Sequence, residues 1–304
     1  GVHAENWCSM PLRGERRYLV ADAGPVFDGA GQLIAVVETL RDNTENKLVQ
    51  AQVEEQASIL KIHYEETQRE AEMARRILEH QVRSDLMRQS GVKYAVTPAT
   101  NFSGDMVLAA RSPDGRLYAM LADATGHGLA AAVSVLPIVQ EFYRLVEQGQ
   151  PLVGIVESIN FVLVNSLPTG RFVAAALVSV DESRRQGEVW VGGIPDVILV
   201  GPAGQLLRRF DSCHLPLGVS RDPDAVGGAE SFAWDCAARL VLLSDGVVEA
   251  SSPAGEAFGE ERLLAAVAGQ GEDLIAALTT ALLGHLGGIS AHDDMSVLVI
   301  DCPA

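Results

Sequence analysis

Four times between residues 105 and 294 the chain sets aspartate where an apolar, strand-like run begins or ends. Asp105 follows Phe102-Ser103-Gly104 and opens a run to Ala110. Asp123 closes Leu117–Asp123 and begins Asp123-Ala124-Thr125-Gly126-His127-Gly128. Asp245 follows Leu240-Val241-Leu242-Leu243-Ser244 and precedes Gly246, and Asp293 and Asp294 precede Met295–Ile300. Each has an ordinary explanation alone: Asp-Gly as a turn, Asp-Asp as a solvated strand end, Gly126-His127-Gly128 as a helix start. Together they constrain the fold, because carboxylates gathered at one end of a sheet repel unless a cation neutralises them. Donor sets made only of oxygen select hard cations such as Mg²⁺ or Mn²⁺. With no Cys or His pair at ligand spacing, zinc is not expected.

The surrounding pattern is mixed. Strands are predicted at Lys93–Thr97, Asp105–Ala110, Leu117–Asp123, Val173–Val180, Glu188–Val191, Val197–Val200, Arg239–Leu243 and Met295–Ile300. Ser112-Pro113-Asp114-Gly115 and Gly201-Pro202-Ala203-Gly204 are turn signals that favour antiparallel hairpins. Helices are predicted at Gly128–Gln148, Pro151–Asn165, Glu260–Ala268 and Asp273–Leu286. Meandering strands with helices between them indicate an α+β layered domain over residues 91–304.

Two blocks precede it. Residues 44–90 contain no proline and carry a 4–3 apolar repeat through Val53, Ala57, Leu60, Tyr64, Thr67, Ala71, Ala74 and Leu78. This is the seam of a coiled coil, expected to pair in a homodimer, and spacings of four to Val82 and Leu86 then shift its register. A long amphipathic helix packed on its own domain is the other reading. Residues 1–43 read as a short β fragment, with Tyr18–Ala21 and Leu33–Leu40 joined by Asp28-Gly29-Ala30-Gly31. A block of that size can hardly bury a core alone.

Charge narrows the function. Lys and Arg number 23 against 40 Asp and Glu, a net charge of −17. That disfavours non-specific nucleic-acid binding and attachment to an anionic membrane. The longest apolar stretch, Leu129 to Val139, falls short of the roughly 20 residues of a bilayer span. The chain starts at Gly1 with no signal-peptide pattern. Cys8, Cys213, Cys236 and Cys302 are widely spaced, and read as reduced thiols of a cytoplasmic protein.

Four motifs in order carry a resemblance over residues 92–301. Ser103-Gly104-Asp105, Asp123-Ala124-Thr125-Gly126-His127-Gly128, Ser244-Asp245-Gly246-Val247-Val248-Glu249-Ala250 and Asp293-Asp294-Met295-Ser296 resemble the signature of the metal-dependent protein phosphatase (PPM) family, in its SpoIIE/RsbU branch of bacterial serine/threonine phosphatases. The resemblance implies a sandwich of two antiparallel sheets flanked by helices, with two Mn²⁺ or Mg²⁺ ions at one end. Carried over, Asp123 would bridge the ions, the Ala124 carbonyl, Asp245 and Asp293 would complete the site, and Asp105 would act peripherally. Asp294 would orient its neighbours. The ions would activate a shared water for attack on phosphorus, making Asp123 and Asp245 catalytic through the metal. His127 is either a general acid or a loop residue.

The sequence departs from the family at Ser103, where Gly is common. It departs again at Gly192-Gly193-Ile194-Pro195-Asp196, which lacks the His of Ala-Gly-His-x-Pro. No arginine, Arg111 included, is assigned to phosphate. The implied substrate is a phosphorylated anti-sigma-factor antagonist of the STAS type. Residues 22–45 resemble the exit strand and Asp-x-Thr junction of a PAS sensor domain, which implies regulation through the helix. Two other readings stand beside the phosphatase: a sensor histidine kinase using His80, and a non-catalytic scaffold on the phosphatase fold.

Overall fold

The computed structural model describes residues 1–9, 15–81, 84–222, 225–268 and 273–304. The chain divides into two compact units, Gly1–Glu70 and Ala71–Ala304.

The first unit holds an antiparallel sheet in the order β1 (Val2–Ser9), β2 (Arg16–Phe27), β3 (Leu33–Asp42), and most of α1 (Thr44–Gln81). The passage from β3 into α1 is tied down locally. Thr44 N donates to Asp42 Oδ1 at 3.0 Å, Tyr18 N donates to Thr44 Oγ1 at 2.7 Å, and Asn43 N donates to the Tyr18 carbonyl at 2.8 Å. The bonds from Thr44 hold the Asp42 carboxyl below its usual range. β3 exposes apolar residues on both faces, among them Ile34, Val36, Val37 and Leu40. Along α1 the seam residues Val53, Leu60 and Tyr64 are exposed. Val82 lies outside the described residues, as do the Leu78 and His80 side chains, so the register shift does too.

In the second unit α2 (Ser84–Ser90) leads into β4 (Lys93–Thr97), β5 (Asp105–Arg111) and β6 (Leu117–Ala124). α3 (Leu129–Ser134), α4 (Leu136–Glu147) and α5 (Leu152–Ser166) follow. Then come β7 (Val173–Asp181), β8 (Gln186–Gly192), β9 (Val197–Val200), β10 (Leu206–Phe210), β11 (Glu230–Ala233) and β12 (Ala238–Leu243). α6 (Asp245–Glu249), α7 (Gly259–Ala268), α8 (Leu274–Leu286) and β13 (Met295–Cys302) complete it. Among the described residues the strands form two five-stranded antiparallel sheets, ordered β10-β9-β12-β13-β4 and β11-β8-β7-β6-β5. Both turn signals sit where expected: Gly115 N donates to the Ser112 carbonyl between β5 and β6, and Gly204 N to the Gly201 carbonyl between β9 and β10, each at 2.9 Å.

Side-chain alternation builds three layers of core from these sheets. Val107, Leu121 and Ala176 of one sheet meet Leu240, Leu242 and Leu298 of the other in the space between them. Leu108, Met120 and Leu177 turn outward against α4 and α5, and Val241, Leu243 and Val299 turn outward against α6 to α8. This is the α+β sandwich flanked by helices that the sequence implies.

Three details differ from the sequence reading. The helix expected over Gly128–Gln148 breaks at Val135, which ends α3 and precedes α4. Pro137, at the start of α4, has no N–H with which to continue the hydrogen-bond ladder of α3. The apolar stretch read as ending at Val139 extends over Leu129–Glu147, long and apolar enough to cross a membrane by length and composition alone, but half of it is buried in the fold. Strands β1, β10 and β11 were not expected, and each lies at an edge of its sheet. The four cysteines are free thiols, Cys302 buried and Cys213 and Cys236 exposed.

Candidate active site

The alternation that fills the inter-sheet core continues to its end. On β5, Asp105 shares a face with Val107 and Ala109, and on β6, Asp123 shares a face with Leu121 and Ala119. The two aspartates are also register partners. The opposite sheet contributes Ser244, after Leu240 and Leu242, and Ser296, before Leu298 and Ile300. Two apolar inner faces thus give way at one end to carboxyls and hydroxyls.

Asp105 is 6% exposed, and neither of its carboxylate oxygens has a hydrogen-bond partner. The Ser296 hydroxyl is also buried and unpaired. Burial pushes the Asp105 carboxyl up to about 7; the nearby Ser296 and Ser244 hydroxyls pull it down and the charge of Asp294 adds to the rise. Asp123 is pushed further, to about 9, first by burial and then by the charges of Asp105, Asp245 and Asp293. Five carboxylates therefore gather here. Among the described residues no three acidic, histidine or cysteine side chains stand in ligating geometry about one point.

Asp294 has a different role from Asp293. It is 2% exposed, and its two oxygens accept from Ala99 N at 2.7 Å and Gly104 N at 2.6 Å. It fixes the loop that delivers Asp105. Asp293 is exposed, and its Oδ1 accepts from Asp294 N at 2.8 Å. Across the sheet, Ser244 Oγ accepts from Ser296 N at 2.8 Å and donates to the Asp294 carbonyl at 3.2 Å. These bonds join the start of β13 to the turn that carries Asp245. Gly246 makes the join possible, because a Cβ there would lie 2.1 Å from the Asp294 carbonyl oxygen. Asp245 is half-buried at the first position of α6.

The loop after Asp123 needs the left-handed backbone of Gly126 (φ 82°) and Gly128 (φ 81°). Between them His127 is exposed, and among the described residues its ring makes no hydrogen bond. Ala124 is buried, its N–H donating to the Gly104 carbonyl at 3.3 Å. Thr125 N donates to the Phe172 carbonyl at 3.1 Å, and Arg171 Nη1 donates to the Thr125 carbonyl at 2.5 Å.

Sequence reasoning did not pick out the serine pair or Arg171. The serines are legible in hindsight from the two-residue period that places Leu242 and Leu298 inside. Arg171 carries no such signal. Arg111, by contrast, is occupied elsewhere: it donates to Glu182 Oε1 at 2.6 Å and to the Ser90 carbonyl at 3.1 Å, at the opposite end of β5 from Asp105. In the stretch that lacks the family histidine, Ile194 is buried in the inter-sheet core.

Three comparisons bear on this arrangement. The family model described as stage II sporulation protein E (SpoIIE) matches residues 113–303. Phosphoserine phosphatase RsbP of Bacillus subtilis (strain 168) is 21% identical over 188 residues, 60% of this chain and 46% of that protein. The chain thus spans about half the length of that curated relative. Among solved structures, the SiaA-PP2C domain of Pseudomonas aeruginosa superposes with a TM-score of 0.66 at 16% identity, over 76% of this chain and 94% of that one. The PP2C phosphatase domain with a fragment of the regulatory domain of SpoIIE from Bacillus subtilis gives 0.58 at 18% identity, over 68% and 62%. At these identities the structures share the fold.

Proposed function

The chain belongs to the SpoIIE family of PP2C-type phosphatase domains, and from that membership we propose that it is a metal-dependent phosphatase of phosphoserine and phosphothreonine in a partner protein. The observation that carries the proposal is Asp105, a buried carboxylate with both oxygens unpaired, facing Asp123 among three further carboxylates. A group left so is costly unless something positive meets it.

The residues fit hard cations. Every side chain gathered here offers oxygen, and the mutual repulsion that raises Asp123 is the repulsion a divalent cation removes. Asp123, Asp245, Asp293 and the Ala124 carbonyl would hold the pair of Mn²⁺ or Mg²⁺ ions, with Asp105 behind them. When bound, such ions supply Lewis acidity and lower the pKa of water. The protein's own part is positional. Asp294 clamps the Ala99–Gly104 loop, the Ser244–Ser296 bonds tie the Asp245 turn to β13, and Gly126 and Gly128 shape the loop after Asp123.

The substrate we favour is a phosphorylated STAS-type antagonist of an anti-sigma factor in a cytoplasmic partner-switching pathway. Residues 1–43 would act as a PAS-like fragment, 44–90 as a dimeric coiled-coil linker and 91–304 as the phosphatase. A register change along the linker would govern assembly of the site. Phosphate release from phosphoserine, phosphothreonine and phosphotyrosine peptides, with Mn²⁺ and with chelator, tests the activity. Metal-dependent release from the first two supports it, and release indifferent to chelator refutes it.

A further inference from the structure

We propose that Arg171 is the substrate-binding cation of this site, holding the phosphoryl group by its guanidinium; the inference rests on the phosphatase reading above. The backbone delivers Arg171 to the rim. Its N–H donates to the Pro168 carbonyl at 3.0 Å in the turn before β7, and β7 then pairs with β6 so that Val173 faces Ala124 and Ala174 faces Asp123. Arg171 therefore lies just past the ladder positions that flank Asp123. Its Nη1 donates to the Thr125 carbonyl and stands 3.3 Å from where a Gly126 Cβ would be. A side chain at position 126 would crowd the guanidinium.

The guanidinium has donors to spare. Arginine carries five N–H groups, and one bond to the Thr125 carbonyl occupies one of them. Among the described residues Arg171 makes no ion pair, although Asp123 lies two residues before Thr125. Arg116, Arg209 and Arg262 are each paired with carboxylates elsewhere in the unit. Arg171 is half-buried, so its remaining N–H groups are partly shielded from water and still reachable. A phosphomonoester carries nearly two negative charges and must approach a cluster of carboxylates. A planar guanidinium fixed by the backbone at the rim offers paired, charge-assisted hydrogen bonds to phosphoryl oxygens at little ordering cost.

Binding of inorganic phosphate to the Mn²⁺-loaded protein, measured by calorimetry, tests this directly, alongside Mn²⁺-dependent hydrolysis of p-nitrophenyl phosphate. For Arg171→Ala and Arg171→Gln the expected result is phosphate affinity weakened about tenfold or more. KM should rise in step, while the Mn²⁺ concentration for half-activation stays within about twofold. Arg171→Lys should recover part of the phosphate affinity, because it keeps the charge. Unchanged phosphate affinity in the Ala and Gln variants overturns the proposal. So does a Mn²⁺ requirement that rises as far as KM does, which would make Arg171 a clamp on the Thr125 loop. Thermal melting of the Lys and Gln variants shows that they are folded. Arginine-dependent phosphate binding without hydrolysis would uphold Arg171 and refute the phosphatase reading instead.

Discussion

Asp105 and Asp123 stand directly opposite each other on adjacent strands, with both side chains on the face that turns into the space between the sheets. Among the described residues no cation pairs with either, so two strongly perturbed carboxyls stand side by side at the end of an apolar core. The pair makes the metal-free protein sensitive to pH. Both folded-state pKa values, about 7 and about 9, exceed the unfolded value of roughly 3.9. The folded state therefore binds more protons than the unfolded state between about pH 4 and pH 9, and stability falls as pH rises through that window. Melting temperature in chelator should decline across it, and added Mn²⁺ should reverse the decline. A flat profile would contradict the burial of these groups as charges.

Asp105→Asn removes the member of the pair that is mostly ionised at pH 8, where Asp123 is still mostly protonated. At pH 8 and without metal the variant should be more stable than the parent by roughly 1–3 kcal/mol, while losing metal-dependent activity. Urea unfolding measures the first and phosphate release the second. A destabilised variant would mean that Asp105 has a partner in the metal-free protein.

Asp294→Ala should unfold more easily by about 3 kcal/mol, because it leaves the buried N–H of Gly104 and the N–H of Ala99 without their acceptor. Asp294→Asn keeps one carbonyl oxygen and should lose less. Equal losses in the two variants, read from denaturant midpoints, would show that charge rather than hydrogen bonding holds the loop.

Gly246→Ala places a methyl group against the backbone oxygen of Asp294 and forces the Asp245 turn away from β13. The expected cost is about 1–3 kcal/mol with a large loss of activity. Wild-type melting and wild-type turnover would show that the two segments are not in contact.

The seam of α1 leaves Val53, Leu60 and Tyr64 in water unless a second helix covers them. Sedimentation equilibrium should find a dimer, and Leu60→Glu should shift it to monomer. A parent chain that sediments as a monomer removes the coiled coil from the account.

How much the sequence revealed follows from burial. β5, β6, β7 and β12 are buried almost throughout, and their apolar runs made them readable to within one or two residues. The edge strands β10 and β11 were not readable for the same reason. In β10, Leu-Leu-Arg-Arg-Phe buries only Phe210, and in β11, Glu-Ser-Phe-Ala buries only Phe232, so neither shows a strong period of two. The acidic residues stood out because charge at the end of an apolar run has no packing purpose. Arg171 did not, because its place depends on the β6–β7 register and on one backbone carbonyl in a distant loop.

In the proposed mechanism, Asp123 and Asp245 hold the metal on which hydrolysis depends. The most direct measurement is phosphate release from a phosphoserine peptide as Mn²⁺ is titrated, for the parent chain, Asp123→Asn and Asp245→Asn together, with metal binding followed by calorimetry. Saturable activation is expected in the parent, and turnover lower by at least about a hundredfold with weakened metal binding in both variants. Turnover in Asp123→Asn equal to that of the parent would contradict this mechanism.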